Sequence, residues 1–161
     1  MGVFVNPIAQ KNYLLYYESP FANKNDKRNG QDMSDTLHLY IEKKIDKYYT
    51  LLNVNRSLLG CEYLCEAIKL SFDDTSLLHR NLTTRLYPLI AQKYDVTAMQ
   101  VERAIRNLIK ICFDKDNVCQ SFSELTETHY TNKYNKPTNG ELIALVCWRL
   151  KLKLQEEGIL P

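Results

Sequence analysis

Between Gln100 and Lys110 the chain spaces Gln100, Glu102, Arg103, Arg106, Asn107 and Lys110 among aliphatic residues. At about 100° per residue, a helix here puts Gln100, Arg103, Arg106, Asn107 and Lys110 within about 60° of Arg103. Val101, Ile105, Leu108 and Cys112 fall on the opposite side. One face is apolar, and the other carries forked or planar hydrogen-bonding groups. Arginine can pair bidentately with guanine, and glutamine or asparagine with adenine, along the major-groove edge of a duplex. Glu102, on the shoulder, is tolerable near phosphates if it accepts from a cytosine amino group or orients an arginine. A solvated face with casual charges would look similar, because most surface helices have one.

Such a face reads nothing unless other elements hold it out, and residues 87–106, YPLIAQKYDVTAMQVERAIR, supply what a helix-turn-helix needs. Ala91 is the small residue midway along the first helix, where the second crosses closely. Ile90, Tyr94, Val96, Val101 and Ile105 provide apolar contacts around the turn. Asp95 stands at the sharp bend, and aspartate tolerates the left-handed region better than most residues. Thr97 is placed to cap the second helix. Pro88 suits the first turn of the first helix, where no amide hydrogen bond is lost.

Elsewhere the pattern is all-α, with no convincing strand and no internal repeat. A helix is expected from Ser34 or Asp35, with Leu37, Ile41, Ile45, Tyr48 and Leu52 inward and Lys43, Lys44 and Lys47 facing away. A second fits 60–72, with Leu64, Ala67, Ile68 and Phe72 buried. A third is expected over 75–86, from a cap at Asp74 or Thr75. The segment 114–132 has room for one short helix near 118–125. Thr138 followed by Glu141 has the capping-box spacing and opens a last helix through Leu142, Leu145, Val146, Trp148, Arg149 and Leu152.

With 161 residues, 45% of them hydrophobic, the chain can build one compact domain. The net charge of +2 names no partner, but its distribution is uneven. Residues 79–112 carry +4 (six basic, two acidic), 113–132 carry −3, and 133–153 carry +4 (five basic, one acidic). No apolar run approaches the ~18–20 residues of a membrane helix, and no secretory signal pattern opens the sequence. Five cysteines, an odd number, fit a reducing compartment. Cys61 and Cys65 lie one helical turn apart, but a structural zinc site wants four ligands, and no second Cys/His pair is suitably spaced. Small buried thiols are the better reading, and no metal or other cofactor is expected. His38, His79 and His129 are isolated, and neither a nucleophile arrangement nor a glycine-rich phosphate loop is present, so no enzyme is expected.

From about Asp35 to Leu154 the chain resembles the C-terminal DNA-binding domain of the stage-zero sporulation response regulator family, which governs endospore formation. GCEYLCEAI (60–68), LYPLIAQKY (86–94), VTAMQVERAIRNLI (96–109) and KPTNGELIALV (136–146) carry the resemblance. It implies a compact all-α domain of about six helices, a recognition helix over 98–113 in the major groove of double-stranded DNA, and homodimers on tandem sites. Glu102, Arg103 and Arg106 match the family's recognition-helix residues one for one, and Gln100 is expected to join them at the bases. Thr97, Asn107, Lys110, Lys133 and Lys136 are expected on the DNA backbone. Where the family commonly has Ser-Arg, this chain has Met99-Gln100, so the family's usual DNA box is not expected to bind with the usual affinity.

The expected organisation is an N-terminal segment and linker (1–34), the DNA-binding domain (35–154) and a C-terminal tail (155–161). Thirty-four residues are too few for a receiver domain, so control is expected from expression, partners or the N-terminal segment. The resemblance also implies a bacterial, cytoplasmic and nucleoid-associated protein. Tyr13–Tyr17 stays open between a docking peptide and a disordered start. A sequence-specific regulator or accessory DNA binder is the leading expectation. The alternative is an interaction module that pairs with a full-length regulator, or another protein, and antagonises it.

Overall fold

The computed structural model describes residues 29–51, 53–114 and 136–161. The chain divides into two units, Met1–Leu37 and His38–Pro161. Of the first, only the opening of helix α1 (Asn29–Leu51) is described, and the rest of the architecture belongs to the second. Helices α2 (Leu59–Asp73), α3 (Tyr87–Tyr94), α4 (Ala98–Phe113) and α5 (Asn139–Glu156) follow, with no strand among the described residues. The protein is all-α. The short helix expected near 118–125, the tyrosines at 13–17, Lys133 and His129 lie outside the described residues.

Helix α1 begins at Asn29, ahead of the expected Ser34 or Asp35. The polar composition that suggested linker there includes Gln31 and Met33, both ordinary helix formers. Within the second unit, Ile41, Ile45 and Tyr49 are its buried stripe, one turn apart. Tyr48 is half-buried. Lys43 and Lys47 face solvent as expected, but Lys44 does not turn away. Its Nζ lies 4.8 Å from the Tyr40 ring centroid and 3.0 Å from Glu157. Tyr40 also donates to Glu157. Residues past Leu154 therefore carry α5 to Glu156 and close against α1. Gly158, at φ +70°, ends the helix, and Ile159 N–H returns to the Leu154 carbonyl at 2.9 Å.

Helix α2 is central and packs against α4 and α5. Leu64, Ala67, Ile68 and Phe72 form its apolar side as the spacing predicts. Gly60 explains how closely α2 approaches α4. A Cβ there would stand 2.4 Å from the Ala104 carbonyl oxygen and 2.9 Å from the Leu108 Cβ. Only hydrogen fits at that crossing.

The continuous helix expected over 75–86 is replaced by two 3-10 turns (Thr75–Leu77 and His79–Asn81) and a π-helical turn (Leu82–Leu86). Asp74 does cap the first, accepting from Ser76 N–H at 2.9 Å. Leu77 and Leu78 are both buried. An α-helix would set neighbours about 100° apart, whereas the extended Leu78 and the left-handed His79 (φ 60°) let both point inward.

Candidate nucleic-acid interface

Helices α3 and α4 form the helix-turn-helix. Pro88 lies in the first turn of α3, and Asp95 closes that helix in the left-handed region at φ 54°, ψ 47°. Val96 N–H returns to the Ala91 carbonyl at 3.0 Å, satisfying an orphan acceptor at the helix end. Ile90, Ala91, Val101 and Ile105 are buried between the two helices and the core, and Tyr94 is half-buried. Its ring meets Tyr63 of α2 edge-on at a centroid distance of 5.1 Å.

The start of α4 carries a full capping box. Thr97 Oγ1 accepts from Gln100 N–H at 3.2 Å, and Gln100 Oε1 accepts from Thr97 N–H at 2.8 Å. Gln100 thus has a structural duty that its expected base contact does not include. Its amide nitrogen remains a donor, and so does the Thr97 hydroxyl hydrogen. Val101, Ile105, Leu108 and Cys112 are buried, while Gln100, Arg103, Arg106, Asn107 and Lys110 are exposed. The face drawn from helical spacing is the face presented to solvent.

Glu102 is intermediate, with its side chain 29% exposed, and it pairs with Arg106 one turn on. Of the two roles that made a glutamate acceptable here, this geometry is the orienting one: the carboxylate holds the Arg106 guanidinium at the edge of the exposed face. Lys136 reaches Asp114, just past the end of α4, at 2.5 Å. Its charge is partly spent there, beside the α4 C-terminus. Two other cations of the basic block 79–112 are likewise committed: Arg85 to Asp74 at 3.6 Å and Lys93 to Glu66 at 2.8 Å. In the second basic block, Lys151 is half-buried with its Nζ 5.2 Å from the Phe72 ring centroid, and burial lowers its pKa.

Spacing alone gave no role to Asn139. This buried residue donates from Nδ2 to the Tyr87 hydroxyl and to the Glu102 carbonyl, both at 3.1 Å. One amide therefore ties the start of α5 to the first residue of α3 and to the second turn of α4. The start of α5 is itself fixed by a capping box, with Thr138 N–H donating to Glu141 at 2.8 Å and Glu141 N–H to Thr138 Oγ1 at 3.2 Å. An asparagine just inside a capping box was the available signal, but spacing cannot show which distant helix it reaches.

Burial pushes the Cys61 and Cys65 thiols up to about 11 and that of Cys147 to about 12. At neutral pH these are protonated, weakly nucleophilic thiols, buried at Cys61 and Cys147 and half-buried at Cys65. Among the described residues, no helix is long and apolar enough to cross a membrane.

A family model described as "Sporulation initiation factor Spo0A C terminal" matches residues 45–150, about two thirds of the chain. The chain belongs to that family. The matched span contains all of α2, α3 and α4 and most of α5, so it includes the helix-turn-helix, the Gly60 crossing and the Asn139 bridge. The Spo0A C-terminal family is a DNA-binding regulatory family of sporulation, not an enzyme family.

Proposed function

We propose that this protein is a sequence-specific, non-enzymatic DNA-binding regulator linked to sporulation, which reads the major groove with α4. Arg103 and Arg106 contact base edges, with Arg106 aimed by Glu102, and Gln100 contributes through its amide nitrogen. Thr97, Asn107 and Lys110 contact the sugar-phosphate backbone. Lys136 adds backbone attraction when a phosphate competes with Asp114 for its ammonium, and Lys133 belongs to the same basic stretch. Residues 35–154 are the DNA-binding domain in this reading, pairing as homodimers on tandem sites.

The observation that carries it is the exposure of Gln100, Arg103, Arg106, Asn107 and Lys110 together on one face of a capped helix in a helix-turn-helix. Recognition helices use such a face, with phosphate contacts setting register and base-edge contacts setting sequence. The test is selection of bound duplexes from a random pool by the purified chain at near-physiological salt. An enriched motif is expected. Sequence-indifferent, salt-sensitive binding alone would favour the interaction module, which pairs with another regulator through protein contacts.

A further inference from the structure

Met99, the second residue of α4, is 58% exposed, more than Leu89, the other exposed large apolar residue of the helix-turn-helix, at 45%. Single exposed apolar residues need no explanation on an ordinary surface. The position of this one is specific. At about 100° per residue, Met99 lies within about 40° of Arg103, Arg106 and Lys110, at the N-terminal end of the stripe those three cations form. The capping box through Thr97 and Gln100 holds that first turn. Recognition helices bring their N-terminal residues to the base edges, and the apolar feature of the major groove is the thymine C5-methyl group. A thioether chain with three rotatable bonds adapts to such a contact.

We infer that Met99 is a specificity-determining residue that packs on the C5-methyl group of one thymine in the target site. The inference rests on α4 being the recognition helix. Met99 and Arg103 are separated by four residues, a rise of about 6 Å along the axis. That corresponds to about two base steps of about 3.4 Å, so the thymine lies within about two base pairs of the one that Arg103 reads. Gln100, beside Met99, has its carbonyl committed to the cap, which leaves the methionine as the apolar reader of that turn.

The test uses the full chain and the duplex enriched from the random pool, with each thymine replaced singly by deoxyuridine, which deletes the methyl group and nothing else. Burying one methyl group corresponds to about a fourfold change in affinity. One uracil position should therefore weaken binding about fourfold. Met99→Ala should bind the thymine and uracil duplexes alike, and Met99→Leu should restore the difference. The exposed position makes an unchanged melting temperature the expected control. Equal binding of all uracil duplexes by the unaltered chain overturns the inference, and so does a uracil effect that survives Met99→Ala. Arg103→Ala separates the two levels. If it relaxes preference at one base pair while uracil substitution is silent, only the methionine inference fails. If it leaves the preferred sequence unchanged, or no motif enriches at all, the recognition-helix reading fails with it.

Discussion

Lys110 and Asn139 affect DNA binding in ways that can be separated by experiment. Lys110, exposed on the last turn of α4, offers a point charge without planar hydrogen-bonding geometry. Lys110→Ala should weaken binding to all sequences alike and lower the slope of log affinity against log salt by about 1. Asn139→Ala should act through the fold. It removes the amide shared by Tyr87 and the Glu102 carbonyl, and unpaired buried groups cost about 1–3 kcal/mol in denaturant titrations. DNA affinity should fall while the order of preferred sequences persists. At this scale the sequence was informative about exposure, because helical periodicity decides which side of α4 faces out. It was less informative about partners. The second duty of Gln100 follows from cap geometry, and the bridge made by Asn139 joins residues 37 and 52 positions apart.

Two backbone positions set how α4 is presented. At Gly60 the carbonyl of Ala104 occupies the space a methyl group would need. Gly60→Ala should push α2 and α4 apart at a cost of about 1–3 kcal/mol, with weaker DNA binding as the exposed face shifts. Asp95 holds a left-handed conformation that glycine adopts without strain. Asp95→Gly should therefore raise thermal stability slightly, by up to about 1 kcal/mol, and leave sequence preference intact. Both helices of the helix-turn-helix, the Thr97 cap and the Thr138–Glu141 capping box were legible because local rules govern them: a proline in the first turn, a threonine cap, a glutamate three residues on. The 75–86 segment was not, since burying the adjacent Leu77 and Leu78 is a tertiary demand that overrides helical continuity. The early start of α1 was missed for the opposite reason, as a polar composition masked ordinary helix propensity.

Across the molecule, a chain of charges links α1, α2 and α3. Glu42 pairs with Lys69 at 2.6 Å, Lys69 with Glu66 at 3.0 Å, and Glu66 with Lys93 at 2.8 Å. Burial opposes ionisation of the Glu66 carboxyl, but hydrogen bonds from Lys93 and Lys69 outweigh it and hold its pKa below the ordinary value. The folded state then binds fewer protons than the unfolded one, so this contribution is complete above the usual glutamate range, near about 4.3, and is lost as pH falls through the folded value. Burial also opposes the charged Lys69, yet Glu42 and Glu66 raise its pKa, so its contribution is complete below the usual lysine range and lost at strongly alkaline pH. Glu66→Gln should cost about 1–3 kcal/mol at neutral pH and flatten the acid limb of a stability–pH curve. None of these pairings was visible in the regional charge balance, which counted Lys93 among the cations of residues 79–112. Part of the uneven charge is thus neutralised inside the fold, at Lys93 by Glu66 and at Arg85 by Asp74.

Whether the exposed face of α4 reads base sequence is decided by parallel selection from one random duplex pool with the unaltered chain and with Arg103→Ala. One motif is expected from the unaltered chain, and the same motif from Arg103→Ala with preference relaxed at a single base pair, a loss of discrimination of about 1–3 kcal/mol there. An identical, undiminished motif from Arg103→Ala would contradict that reading, because the guanidinium at the centre of that face would then read nothing.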